Sequence, residues 1–288
     1  MVCGAVWADI LGDARKELIV VGEWMTPKIF SIDGNHFEEV KTNLDNMFGW
    51  WQTVSSTDVN GDGKMDLILG NIGENFYLQP DDKRPVKLWI NDYDQNNSVE
   101  KVMTYTVDGK DVPVFLKRDM EDQLPSIKKA NLKNDAYARK PIQELFPEHL
   151  LSASVVKKFN YSSSCIAINN GNGNFTVQKL PVMSQLSCIN VIHCMDVNGD
   201  GRVDLVTGGN QFGFLPQFER LDASIGDVLL NTGNGNFAWQ EASRTGLALR
   251  GEQRDIAAIQ TKSDNCLLFL QNNEIPVLYK LNKISIQN

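Results

Sequence analysis

A chain of 288 residues, 42% of them hydrophobic, can bury one large core or two ordinary ones. Its formal charge of −8 excludes the basic stripe of a nucleic-acid binder and gives no attraction to anionic membrane surfaces. No stretch reaches the length of a transmembrane helix, so neither nucleic acid nor membrane insertion is expected.

The opening MVCGAVWADI lacks the basic start and long apolar run of a signal peptide. It reads as the start of a strand, so the chain is expected to begin inside a repeat, with its leader and first repeats missing. Residues 5–40 (AVWAD…ELIVVGEW…KIFSIDGNHFEEV) form a first unit. Its loop keeps Asp9, Asp13 and Glu17 but has Leu11 at the third position and Ala14 at the sixth, and it reads as an empty loop. A second unit spans residues 50–90 and contains DVNGDGKMDLILGN at 58–71. A third opens at Asp92 and closes with CIAINNGNGNFTVQKLP at 165–181. Residues 116–150 swell it: charged, interrupted by Pro125, Pro141 and Pro147, and apolar at helical spacings. They read as two or three short helices inserted within the third unit, a solvated decoration rather than a cap over a ligand site. The fourth unit, 190–242, repeats the second loop as DVNGDGRVDLVTGGN at 196–210. The fifth, 255–281, has no such loop. The NNGNGNF and NTGNGNF segments are hairpins in which Asn-Gly supplies positive φ and Phe175 or Phe237 returns to the core.

The recurring loops carry the chemistry. Four carboxylate or amide groups within nine glycine-bent residues repel one another unless a cation sits among them, and hard oxygen ligands in a flexible loop suit Ca²⁺. The expected ligands are Asp58, Asn60, Asp62, the Lys64 carbonyl and Asp66. The fourth unit offers Asp196, Asn198, Asp200, the Arg202 carbonyl and Asp204. A third set is Asp92, Asp94, Asn96, the Ser98 carbonyl and Glu100. An EF-hand loop would need a carboxylate at position twelve, followed by a helix. Leu69 and Thr207 stand there, inside apolar runs that read as strands. The ninth residue therefore closes the site, in a strand–loop–strand turn.

First and second loops begin 49 residues apart, the size of one four-stranded blade. The expected fold is all-β: a β-propeller of four-stranded blades, five of them visible, with a small helical insertion, treated as one domain or a fragment of one over residues 1–288. The D-x-N-x-D-G-x-x-D-L loops, the glycine after each second strand and the NGNGNF hairpins resemble the FG-GAP-like (VCBS-type) repeat propellers. These include integrin α-subunit heads and many secreted bacterial proteins. The chain is most similar to the bacterial group related to cartilage acidic protein, through VWAD, VVGEW, GWW, LGN, the helical insertion and RLDASIG (220–226). The resemblance implies a calcium-stabilised propeller exported from the cytoplasm, whose members mostly bind proteins or glycans. It places the calcium positions on the residues named above. Seven blades are usual in the family, which implies further blades before residue 1.

The function expected from this is a non-catalytic binding or scaffold module, secreted, periplasmic or on the outer-membrane surface, where calcium is abundant. Its partner would be a protein or glycan, or a surface complex. Loops at the opposite blade ends would carry recognition, with Asn71, Asn75, Tyr77, Asn210, Gln211, Arg220 and Asp222 as candidates. Trp50 and Trp51 could stack on sugars, although burial is the commoner fate of such residues, and an Arg220–Asp222 pair reads first as structural. The rival class is a polysaccharide lyase or hydrolase acting in a central channel, which would need two carboxylates flanking the substrate. No G-x-S-x-G elbow, H-E-x-x-H or P-loop occurs. Cys3, Cys165, Cys188, Cys194 and Cys266 lack C-x-x-C spacing and read as mostly buried free thiols, and His36, His149 and His193 are isolated from one another.

Overall fold

The computed structural model describes residues 1–130, 133–218 and 220–282. The chain is mostly β and built from antiparallel sheets. Strands β1 (Val2–Ala8), β2 (Glu17–Met25), β3 (Lys28–Asp33) and β4 (His36–Val40) form a meander in chain order, and β5 (Gly49–Trp50) pairs with the far end of β2. Strands β6 (Thr53–Thr57) and β7 (Asp66–Gly70) begin a second sheet, but the next strands in the chain do not complete it. Those strands, β8 (Val86–Asn91), β9 (Glu100–Val107), β10 (Lys110–Pro113) and β11 (Val155–Phe159), make a sheet of their own in the order β10-β9-β8-β11. The chain then returns with β12 (Cys165–Gly171) and β13 (Asn174–Lys179), giving β13-β12-β7-β6. Strands β14 (Ile189–Met195), β15 (Asp204–Gly209), β16 (Asp227–Gly233) and β17 (Asn236–Gln240) form another meander. A last sheet has β18 (Gln253–Gln260), β19 (Asn265–Gln271) and β20 (Val277–Lys280).

The chain divides into two compact units, Met1–Tyr77 with Ser162–Asn288, and Leu78–Tyr161. In the larger unit the sheets meet through their first strands: β6 lies beside β1 and β14, and β14 beside β18. Strands such as β7 and β15 are buried throughout because both of their faces are covered, which is why DLILG and DLVTGG are nearly continuous apolar runs. Val59, Ile68, Ile166, Ile168, Ile192, Leu205 and Leu229 form one core between the second sheet and the next. Val206, Val228, Ile256, Leu267 and Phe269 form part of another. Asn172-Gly173 and Asn234-Gly235 both have positive φ, as the two-residue hairpins require. At Gly173 a Cβ would lie 2.8 Å from the Lys41 carbonyl oxygen, so the residue must also be small.

The pairing differs from the expected third unit. β12 and β13 close the second sheet, and VKLWI (residues 86–90), which ends the expected second unit, lies instead in β8 of the smaller unit. The expected helices at 116–150 are five short ones among the described residues, between Lys117 and Ser152. They are not decoration. Met120, Leu124, Ile127, Tyr137, Ile142 and Phe146 pack with Tyr93 and Val102 into a core internal to that unit. Pro141 and Pro147 stand immediately before helices, where a missing N–H costs nothing. Cys165, Cys188 and Cys266 are buried, Cys194 is half-buried and Cys3 is exposed, and all five are free thiols.

Candidate functional site

The two strongest loops fold alike, each organised by its own first carboxylate. Asp58 accepts hydrogen bonds from the backbone N–H groups of Gly61 (2.7 Å), Asp62 (3.2 Å) and Gly63 (2.8 Å). Asp196 does the same for Gly199, Asp200 and Gly201. Asn60 and Asn198 take the N–H of Asp62 and Asp200. Such tight wrapping needs left-handed backbone at the fourth and sixth positions, and both loops place glycine there, at φ +79° and +84° in each.

The ninth residue closes each loop. Asp66 is fully buried and accepts N–H bonds from Val59 (3.0 Å) and from Asn169 on β12 (2.7 Å). Asp204 does the same for Val197 (2.9 Å) and Asn231 on β16 (2.8 Å). Burial pushes the carboxyls of Asp66 and Asp204 above their ordinary range, and these backbone bonds oppose the shift. The fifth-position acids differ: backbone N–H bonds from Lys64 and Arg202 hold Asp62 and Asp200 below the ordinary range. The cationic tips of Lys64 and Arg202 also turn onto Asp62 and Asp200 as exposed ion pairs.

Asn169 and Asn231 are loop-bracing positions absent from the sequence reading. Each amide donates forward to the carbonyl before its own closing aspartate, Met65 or Val203. Each also donates back to the second residue of the preceding loop: Asn169 to Ile10 (2.8 Å), and Asn231 to Val59 (2.8 Å). One buried asparagine thus ties two successive loops together. The signal is the repeated Asn three residues before each Asn-Gly hairpin, where the sequence reading takes in only the turn.

The loop at 92–100 keeps the wrap without glycine. Asp92 accepts from Asn96 and Asn97, Glu100 accepts from Tyr93, and the left-handed positions are Gln95 and Asn97. Among the described residues, Asp92, Asp94 and Glu100 form a group of three acids that each offer one carboxylate oxygen within 4.8 Å of the others. The loop at 9–17 has the same wrap again, with Asp9 accepting from Gly12, Asp13 and Ala14, and Glu17 from Ile10 and Leu11.

The recognition candidates separate into two groups. Asn71 and Asn210 are fully buried and spend their amides on structure. Asn71 Oδ1 accepts the N–H of Trp50 and Ile72, and Asn210 bonds Ser187, Ser224 and Gly251. Gln211 is a backbone bridge to Leu221. Trp50 and Trp51 are buried too, which removes them as sugar platforms. Asn75, Tyr77, Arg220 and Asp222, by contrast, line a single pocket of about 420 Å³ together with Phe76 and Phe218. Segments some 145 residues apart in sequence therefore converge there.

A family model described as FG-GAP-like repeat matches residues 9–69. That span runs from the first loop through the second and ends inside β7. No curated protein matches the chain. What these findings define is a β-rich chain carrying at least one FG-GAP-like repeat.

Proposed function

We propose that the protein is a calcium-stabilised β-propeller of the FG-GAP-like kind that works outside the cytosol as a non-catalytic binding or scaffold module. The observation that carries the reading is the twice-built loop at 58–66 and 196–204, alike in ligand types, in the backbone N–H bonds its carboxylates accept and in backbone twist. Asp58, Asn60, Asp62 and Asp66, with the Lys64 carbonyl, would hold one ion. Asp196, Asn198, Asp200 and Asp204, with the Arg202 carbonyl, would hold a second. The donor set fits. Each carboxylate keeps lone pairs beyond those its N–H donors use, and a cation would relieve the buried charge on Asp66 and Asp204. The Lys64 tip would have to leave Asp62, and the Arg202 tip would have to leave Asp200 while its Nε holds the Asn231 carbonyl. Asp92, Asp94, Asn96, Glu100 and the Ser98 carbonyl would hold a third ion. The similarity to bacterial relatives of cartilage acidic protein belongs to the same proposal.

Ions held in closed loops would brace the sheet ends, leaving recognition to the pocket around Tyr77 and Arg220. A lyase or hydrolase reading gains little there, because Asp222 is the lone carboxylate among the pocket's described lining residues. The test is thermal unfolding in millimolar CaCl₂ against excess EGTA, for wild type, Asp58→Ala and Asp196→Ala. Binding to the native state alone raises the melting temperature with ion concentration, and each variant loses part of that rise. An identical melting temperature with and without chelator would overturn the calcium assignment and the extracytoplasmic placement together.

A further inference from the structure

We propose that the pocket lined by Asn75–Tyr77, Gln217, Phe218 and Arg220–Ala223 binds a neutral saccharide, an inference that rests on the binding-module reading and names its ligand class. The pocket combines an aromatic wall with polar groups that have bonding capacity to spare. Tyr77 stacks on Phe218 with ring centroids 4.4 Å apart and planes 10° from parallel. Phe76 backs the pair, 4.4 Å from Tyr77 and 5.2 Å from Phe214. Burial pushes the Tyr77 hydroxyl up to about 12, so it remains a proton donor at any physiological pH.

The opposite side is preorganised. Leu221 is clamped by two backbone bonds to Gln211, at 2.8 and 2.9 Å, which fixes its neighbours Arg220 and Asp222 at the rim. The Arg220 guanidinium lies over the Phe212 ring at 4.7 Å, and its Nε donates to Asp222 at 3.1 Å. This leaves the terminal guanidinium nitrogens and one Asp222 oxygen facing solvent. Asn75 uses its Nδ2 on the Leu186 carbonyl, which leaves its Oδ1 as an acceptor.

Charge decides between ligand classes. An unpaired arginine would favour a phosphate or carboxylate, but here Asp222 cancels the charge at contact distance and would repel an anion. Among the described lining residues the charges of Arg220 and Asp222 cancel, and the donors, acceptors and aromatic rings match a ring that carries hydroxyls on its edges and C–H groups on its faces. The volume, about 420 Å³, lies within the ~300–1,000 Å³ range of small-ligand sites.

Saturation-transfer NMR of the whole chain tests this, with maltotriose, cellotriose, mannotriose and xylotriose as probes and trigalacturonate as the acidic counterpart. At least one neutral probe is expected to bind at millimolar concentration or better. Tyr77→Ala and Arg220→Ala should each weaken that binding about tenfold or more. Tyr77→Phe and Asp222→Asn, which change single polar groups, should weaken it less, and calcium-dependent melting should be unchanged throughout. Binding of trigalacturonate alone, no binding of any probe, or equal binding by wild type and all four variants would each overturn the proposal. If the calcium response persists while saccharide binding fails, the scaffold reading stands with a protein partner. If the calcium response is absent but a neutral probe binds, the calcium reading falls and the pocket stands.

Discussion

The loops at 9–17 and 58–66 have the same shape and different chemistry. In both, the first aspartate gathers three backbone N–H groups, the fourth and sixth positions are left-handed, and the ninth residue accepts the N–H of a buried apolar residue, Ile10 or Val59. Yet the first loop has Leu11 where the second has Asn60, and Ala14 at φ +66° where the second has Gly63. The same hydrogen-bonded wrap thus forms around the first aspartate whichever side chains stand at the third and sixth positions. Any ion would be an addition, set by which side chains ring the interior. Loop geometry and metal chemistry are separable, and they can be tested separately.

The largest effect should come from the closing residue. Asp66→Ala strips the acceptor from two buried N–H groups, Val59 and Asn169, and at ~1–3 kcal/mol per orphaned group should cost about 3 kcal/mol. Urea unfolding in EGTA measures this without the ion. A loss under about 1 kcal/mol would mean that the loop is held elsewhere. Calcium itself ranks next. At a free concentration of ~100 Kd a single site adds about 2.7 kcal/mol. Asp58→Ala should reduce that gain, whereas Asp9→Ala should leave it untouched, and an equal loss from both would erase the distinction between the loops. A smaller gain follows from converting one loop into the other. Leu11→Asn with Ala14→Gly restores the amide and relieves a left-handed alanine, which alone is worth roughly 1–2 kcal/mol. The double variant should melt higher in EGTA and acquire an extra calcium response, read by titration calorimetry as one added site.

The two loops also mark how far the sequence could be read. The wrap, the ligand order and the strand–loop–strand setting were legible because they repeat within nine residues, and the meanders of the first unit and the fourth were legible because adjacent strands usually pair. The second sheet broke that rule. Leu69 of β7 and Cys165 of β12 are partners in one sheet, yet the whole of Leu78–Tyr161 lies between them in the chain. A short apolar run such as VKLWI carries no mark of which strand it will pair with, so reading by adjacency gave it to the wrong sheet. Asn71 and Asn210 failed for a related reason. Asparagine after a strand reads as an exposed turn residue, and burial alone turns it into a clamp. Tyr77 and Arg220 could be proposed only as separate candidates, because nothing in their local sequence brings them into one pocket.

The smallest effect is a change of slope with pH, and it separates burial from metal. Asp227, outside the loops, is buried, and burial raises its carboxyl above the ordinary range while a bond from Trp239 Nε1 (2.8 Å) opposes the shift. Asp66 and Asp204 are raised for the same main reason. A carboxyl raised in the folded state makes the native protein bind more protons than the unfolded chain, so its contribution falls as pH rises from the ordinary carboxylate range through the raised values. Asp62 and Asp200, lowered by backbone bonds, work in the opposite sense below that range. In EGTA, stability should therefore decline from about pH 4 toward neutrality on account of all three buried acids. Asp227→Asn, which can keep the Trp239 bond, should remove one part of that decline in any buffer. Calcium should remove the part owed to Asp66 and Asp204 and leave the Asp227 part in place, because a cation beside a carboxylate favours its ionised form. Urea unfolding across that pH range, with and without calcium, gives four curves. If calcium leaves the slope of the Asp227→Asn variant unchanged, the buried loop acids are not facing an ion.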